Sequence, residues 1–171
     1  MRPSFHRLWR IVTGLLVALV FLLAFLLSGI RLLGFTPYAV LSGSMEPRYP
    51  VGGILYVRKV DPRTVSPGTP ITFTLPQSAA VATHRVVSVE PETRCFRTKG
   101  DANALPDVAP VPFGAVLGVP LFSLPFLGYL SRFLMEPAGR VVGLLVGGLP
   151  LLLLALPDLL SRLRAKSRNA A

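Results

Sequence analysis

The chain reads as a mainly β domain anchored by two transmembrane α-helices. Three observations predict this. Two long apolar runs lie toward the ends, each with basic residues on its outer side. Between them the hydrophobic pattern changes to short alternating runs, the period of half-buried strands. Proline and glycine break those runs repeatedly. Of the 171 residues, roughly 110 lie between the apolar runs, enough for one small folded core.

The first apolar run, residues 11–30 (IVTGLLVALVFLLAFLLSGI), carries no charge. It matches the ~20 residues that a helix needs to cross the hydrocarbon layer. A secretory signal peptide shares its basic start and apolar body, but Ser28-Gly29-Ile30-Arg31 is a poor cleavage site. A retained anchor is therefore expected. The second run, Val141 to Pro157, contains Gly147, Gly148 and Pro150, and the proline is expected to kink it, which membranes tolerate. Arg2, Arg7 and Arg10 precede the first run, and Arg162, Arg164, Lys166 and Arg168 follow the second. Because basic flanks stay cytoplasmic, both termini are expected inside and the intervening residues outside, at a cell membrane crossed twice. The expected layout is a cytoplasmic tail (1–10), a helix (11–30), an extracytoplasmic β domain (31–139), a helix (140–157) and a basic tail (158–171).

Candidate strands in the outer region are Ile54 to Val60, Ile71 to Leu75, Val81 to Val89, Cys95 to Lys99 and Ala115 to Leu121. Asp61-Pro62, Ser66-Pro67-Gly68, Glu90-Pro91-Glu92 and the Gly100 to Pro112 segment separate them. Leu117 to Leu134 is unusually apolar for a water-facing segment. Pro120, Pro125 and Gly128 argue against a third straight helix, so this stretch is expected to finish the β domain and then lie along the bilayer surface, or to form a core strand and turn.

Charge and composition exclude several function classes. The net charge of +10 could suggest nucleic acid, yet residues 31–140 hold 11 basic against 7 acidic side chains, with no dense stripe to follow phosphates. No nucleic-acid partner is expected. Two spans without a central ionisable residue do not make an ion path. Cys95 is the only cysteine, so no intrachain disulfide can form. With one cysteine and two histidines, one of them in the N-terminal tail, the usual zinc ligand sets cannot be assembled. The scattered acids do not form a calcium loop. No metal or cofactor is expected.

Ser42 to Pro47 reads Ser-Gly-Ser-Met-Glu-Pro and begins soon after the first apolar run. A serine hydroxyl needs a base to remove its proton as it attacks. Glycine permits a tight or left-handed turn and Pro47 stiffens the chain after it, so a serine here can be presented with its backbone N–H toward a developing oxyanion. The only histidine outside the tail, His84, lies in Thr83-His84-Arg85-Val86. On a strand it shares a face with Ala82 and Val86, giving a half-buried imidazole able to accept and return a proton. A carboxylate usually orients such an imidazole. Asp101 and Asp107 both stand in the loop after the Cys95 to Lys99 strand, and either could reach, the other then being a turn or solvated residue.

SGSMEP, THRV and TKGDAN, in this order and at these distances, resemble the signal peptidase I family of the endoplasmic reticulum, archaeal and SipW-like type, from about Leu41 to Tyr129. The resemblance implies a signal-peptidase/LexA-like β domain and a Ser-His-Asp arrangement, where the common bacterial enzymes use Ser-Lys. It assigns Ser44 as nucleophile, His84 as base and Asp107 as the aspartate completing the triad. Asp101 matches the aspartate of the GD pair, also implicated in the family, and Ser42 matches a hydroxyl that assists Ser44 at the oxyanion. Where family members often have proline after the second aspartate this chain has Val108, and the choice between Asp101 and Asp107 stays open. The implied activity is serine endoproteolysis: removal of N-terminal signal peptides from exported proteins after small residues. Its partners would be preprotein signal peptides and the lipid bilayer, with no cofactor. The alternative is a catalytically inactive, membrane-tethered β domain that binds exported chains.

Overall fold

The computed structural model describes the backbone of residues 3–75, 78 and 80–168, and the side chains of those from 7 to 152. Contacts divide the chain into two compact units, Leu27–Ser131 and, separately, residues 1–26 with 132–171.

The first of these is built on one seven-stranded antiparallel sheet, in the order β1-β2-β7-β3-β4-β5-β6. The strands are β1 Phe35–Ala39, β2 Ile54–Arg58, β3 Pro70–Thr74, β4 Val81–Glu90, β5 Cys95–Lys99, β6 Val111–Pro112 and β7 Val116–Leu124. All five strands expected from alternation form, with small shifts at their ends. Two others form that alternation does not reveal. β1 carries Pro37, which a sheet accepts only at an edge where no ladder bond needs its missing N–H, and β1 is an edge strand. β6 is too short to show a period.

β7 joins the two halves of the sheet. Val119 to Leu124 pair with β2, while Val116 and Gly118 pair with β3. At the changeover Gly118 has φ +155°, and a Cβ there would lie 2.2 Å from the Arg58 carbonyl oxygen. Only glycine lets the two backbones approach that closely. The halves bury separate apolar clusters: Met45, Tyr49, Leu55 and Val57 in one, and Val65, Ile71, Phe73, Val86, Phe96 and Val111 in the other. Phe96 stacks on Phe113 with ring centroids 4.6 Å apart. Removing a side chain of this kind from water contributes about 1.5–3 kcal/mol. The second cluster forms the platform beneath the candidate site.

The alternation on β3 is not an inside-outside pattern. Ile71, Thr72 and Phe73 are all buried, and the Thr72 and Thr83 hydroxyls bond each other at 2.8 Å. The apolar stretch from Leu117 continues the strand to Leu124, then turns into α2, Leu127–Met135. Tyr129 packs on Gly52, where a Cβ would meet its ring at 1.9 Å.

The other unit holds α1, Pro3–Leu27, and α3, Pro137–Arg168. The Arg7–Leu27 segment is long and apolar enough to cross a membrane, with mean hydropathy 2.6. Thr13 inside it satisfies its hydroxyl on the Trp9 carbonyl at 2.5 Å. The second apolar run belongs to α3, whose helix continues through Pro150. The described side chains of α3, to Leu152, reach the length of a span only together with α2, from which the chain bends at Glu136. The expected span continues to Pro157, and the side chains from 153 onward lie outside the described residues.

Candidate active site

The loop after β1 carries Ser42, Gly43 and Ser44. Its base is closed by two backbone bonds, Val40 N–H to Gly53 O and Gly52 N–H to Val40 O, both 2.9 Å. Its crest is a tight turn in which Glu46 N–H bonds Gly43 O at 3.0 Å. Gly43 does not adopt a positive φ, so the turn is tight without being left-handed. Met45 and Tyr49 plunge into the core, 3% and 4% exposed, and Tyr49 N–H bonds Met45 O. Two apolar anchors thus hold Ser44 on a fixed loop. Among the described residues, neither the Ser44 N–H nor the exposed Ser42 hydroxyl has a hydrogen-bond partner.

His84 lies within β4, opposite Ile71 of β3, its side chain 16% exposed. The Phe73 ring stands edge-on to the imidazole, with centroids 6.2 Å apart. Ser44 Oγ lies 3.2 Å from Nε2, and Asp107 Oδ2 lies 2.5 Å from Nδ1. A carboxylate only accepts, so Nδ1–H donates to Asp107 and Nε2 is left to accept from Ser44. This is the tautomer needed to take the serine proton.

The structure brings Ser44, His84 and Asp107 together and sends Asp101 elsewhere. Asp101 accepts from Arg85 Nε at 2.7 Å and from Arg85 Nη2 at 2.6 Å, while Arg85 Nη1 bonds Gly68 O at 2.7 Å. Those guanidinium bonds hold the Asp101 carboxyl below the usual carboxylate range. Adjacent residues on β4 therefore point to different carboxylates, as alternation along a strand requires. Asp101 still bears on the site through its loop: Ala102 N–H bonds the Ser44 carbonyl at 2.9 Å. Gly100 permits this approach, since a Cβ there would lie 2.7 Å from that oxygen.

Sequence reasoning missed Thr98. Its buried hydroxyl donates to Asp107 Oδ2 at 2.6 Å, and its carbonyl accepts the Asp107 N–H at 2.8 Å. The available signal was its parity with Phe96 on β5, which puts a hydroxyl on an inward face where it needs a partner. Beside His84 opens a cleft of about 710 Å³, walled mainly by small or apolar residues including Phe73, Leu75, Ala102, Ala104 and Leu105. Among the described residues, no group of three or more His, Cys, Asp or Glu is placed to hold a metal ion.

The arrangement can deprotonate Ser44 toward His84 and stabilise the resulting imidazolium on Asp107. No family model matches the chain. Over 81 residues it is 42% identical to signal peptidase I W of Bacillus subtilis (strain 168), a match covering 46% of this chain and 42% of that protein's length. The chain is therefore similar to a signal peptidase over part of each sequence, and spans less than half of that protein's length.

Proposed function

We propose that this chain is a membrane-bound signal peptidase I of the Ser-His-Asp type, a serine endopeptidase that removes N-terminal signal peptides from exported proteins after small residues. The observation that carries the proposal is the hydrogen-bonded series Ser44–His84–Asp107, at 3.2 and 2.5 Å. Ser44 attacks the scissile carbonyl as His84 Nε2 takes its proton. The imidazolium then protonates the leaving amine, and a water deprotonated by His84 hydrolyses the acyl-enzyme. The Ser44 N–H and the Ser42 hydroxyl receive the oxyanion. Asp107 stabilises the imidazolium, and Asp101 holds the loop through Arg85. Small side chains before the cut suit a cleft walled by alanines and bulky apolar residues.

The two apolar runs, 11–30 and 140–157, anchor the enzyme, with residues 31–139 outside and both basic ends, 1–10 and 158–171, cytoplasmic. A substrate whose apolar segment is still in the bilayer presents its junction near the surface. The linker from Ile30 to Ser44 spans at most about 50 Å even when extended, so a tethered serine meets that junction with most of the search already done. Cleavage of a preprotein in liposomes by wild type, Ser44→Ala and His84→Ala tests the reading. Wild type should release the mature product while both variants leave the precursor intact. Equal processing by wild type and Ser44→Ala ends the proposal.

A further inference from the structure

We propose that Thr98 is a positioning residue for the reaction, fixing the Asp107 carboxylate so that His84 faces Ser44. The proposal rests on the catalytic roles proposed for Ser44, His84 and Asp107.

Asp107 lies in the loop between β5 and β6 and has no strand ladder of its own. A carboxylate on such a loop has four lone-pair sites and can turn about its terminal torsion, so contact with one imidazole nitrogen does not settle its plane. Thr98 contacts the residue twice, through its carbonyl to the Asp107 N–H at 2.8 Å and through its hydroxyl to Oδ2 at 2.6 Å. That same Oδ2 lies 2.5 Å from His84 Nδ1. Two donors converging on one oxygen fix the direction of the carboxylate. Thr98 is itself fully buried on β5, and its register partner is Val86 on β4, the strand that bears His84. The pairing of two strands is thereby converted into the placement of a loop carboxylate.

A blander role would be mere satisfaction of a buried hydroxyl. Thr72 supplies the comparison. It is equally buried in the same sheet, bonds Thr83 at 2.8 Å, and has no bond to Asp107. If buried hydroxyls matter here only for stability, Thr72 and Thr98 should behave alike.

The test uses the full chain in detergent micelles as wild type, Thr98→Val, Thr98→Ser and Thr72→Val, with two readouts. The first is the low-field proton NMR resonance of His84 Nδ1–H, which needs no substrate. It should weaken or move upfield in Thr98→Val, return in Thr98→Ser and persist in Thr72→Val. The second is preprotein cleavage, where Thr98→Val should lose roughly 10- to 100-fold in kcat at unchanged KM. Thr98→Ser should recover most of that loss, and Thr72→Val should lower Tm without it. If Thr98→Val does not fold, Thr98→Ala serves in its place. An unshifted resonance in the folded Thr98 variant overturns the proposal even if no preprotein is cut. So does a wild-type kcat in that variant, or an equal kcat loss in Thr72→Val. Failure of the peptidase reading is a separate result, seen as cleavage that survives Ser44→Ala.

Discussion

His84 Nδ1 meets Asp107 Oδ2 at 2.5 Å, while its strand neighbour Arg85 grips Asp101 through two bonds of 2.7 and 2.6 Å. One loop thus supplies two carboxylates to two consecutive residues of β4, with different consequences for each.

Asp107→Asn should lower kcat by about 10³–10⁴-fold, because an amide can donate to Nδ1 and favour the tautomer that cannot accept from Ser44. Asp101→Asn removes a guanidinium partner without touching the imidazole, and should cost far less. Parallel single-turnover cleavage measurements check the difference. Equal losses would mean that the separation of roles is wrong.

The Arg85–Asp101 pair also predicts an acid dependence of stability. Its bonds lower the Asp101 pKa, so the folded state holds that proton less readily than the unfolded chain. The stabilisation is complete above the unfolded carboxylate value of about 3.9 and fades as pH falls through the lower folded value. Arg85→Gln should therefore lie below wild type in Tm at neutral pH, and the gap should narrow below about pH 4. Thermal unfolding across that range gives the answer, and a constant gap would deny the pair its contribution.

Gly100→Ala places a Cβ 2.7 Å from both the Ser44 carbonyl oxygen and the Asn103 amide nitrogen. Overcrowding of this kind costs about 1–3 kcal/mol, and relief must come from moving the loop away from Ser44. Cleavage should fall more than stability does, as measured by kcat beside denaturant unfolding.

Phe96→Ala tests the platform. Phe96 is fully buried and stacked on Phe113, so the truncation should cost about 3–5 kcal/mol. Denaturant titration should show an earlier midpoint. A loss below about 1 kcal/mol would mean that the site does not stand on this core.

Several features were legible because they are local. Continuous apolarity marks the helix over Arg7–Leu27, and alternation with proline and glycine breaks marks β2, β3, β4, β5 and β7. The boxes pick out Ser44 and His84 as candidates, and the fold places Ser44 Oγ 3.2 Å from His84 Nε2. Edge strand β1 was not legible, because Pro37 imitates a break. Thr98 opens the TKGDAN box and shares the inward parity of Phe96, but nothing in the string shows that its hydroxyl meets Asp107.

The amino-acid sequence by itself determined that apolar runs flank a β region, and that Ser44, His84 and an aspartate of the loop from Gly100 to Pro112 are the candidate reacting groups. Only the tertiary structure decided which aspartate meets His84, and that Thr98 stands behind it. Periodicity depends on near neighbours and survives in the unfolded string. The meeting of Ser44, His84 and Asp107 depends on long-range strand pairing, with β7 inserted between β2 and β3 and one loop folded back over β5, and no local pattern encodes those distances.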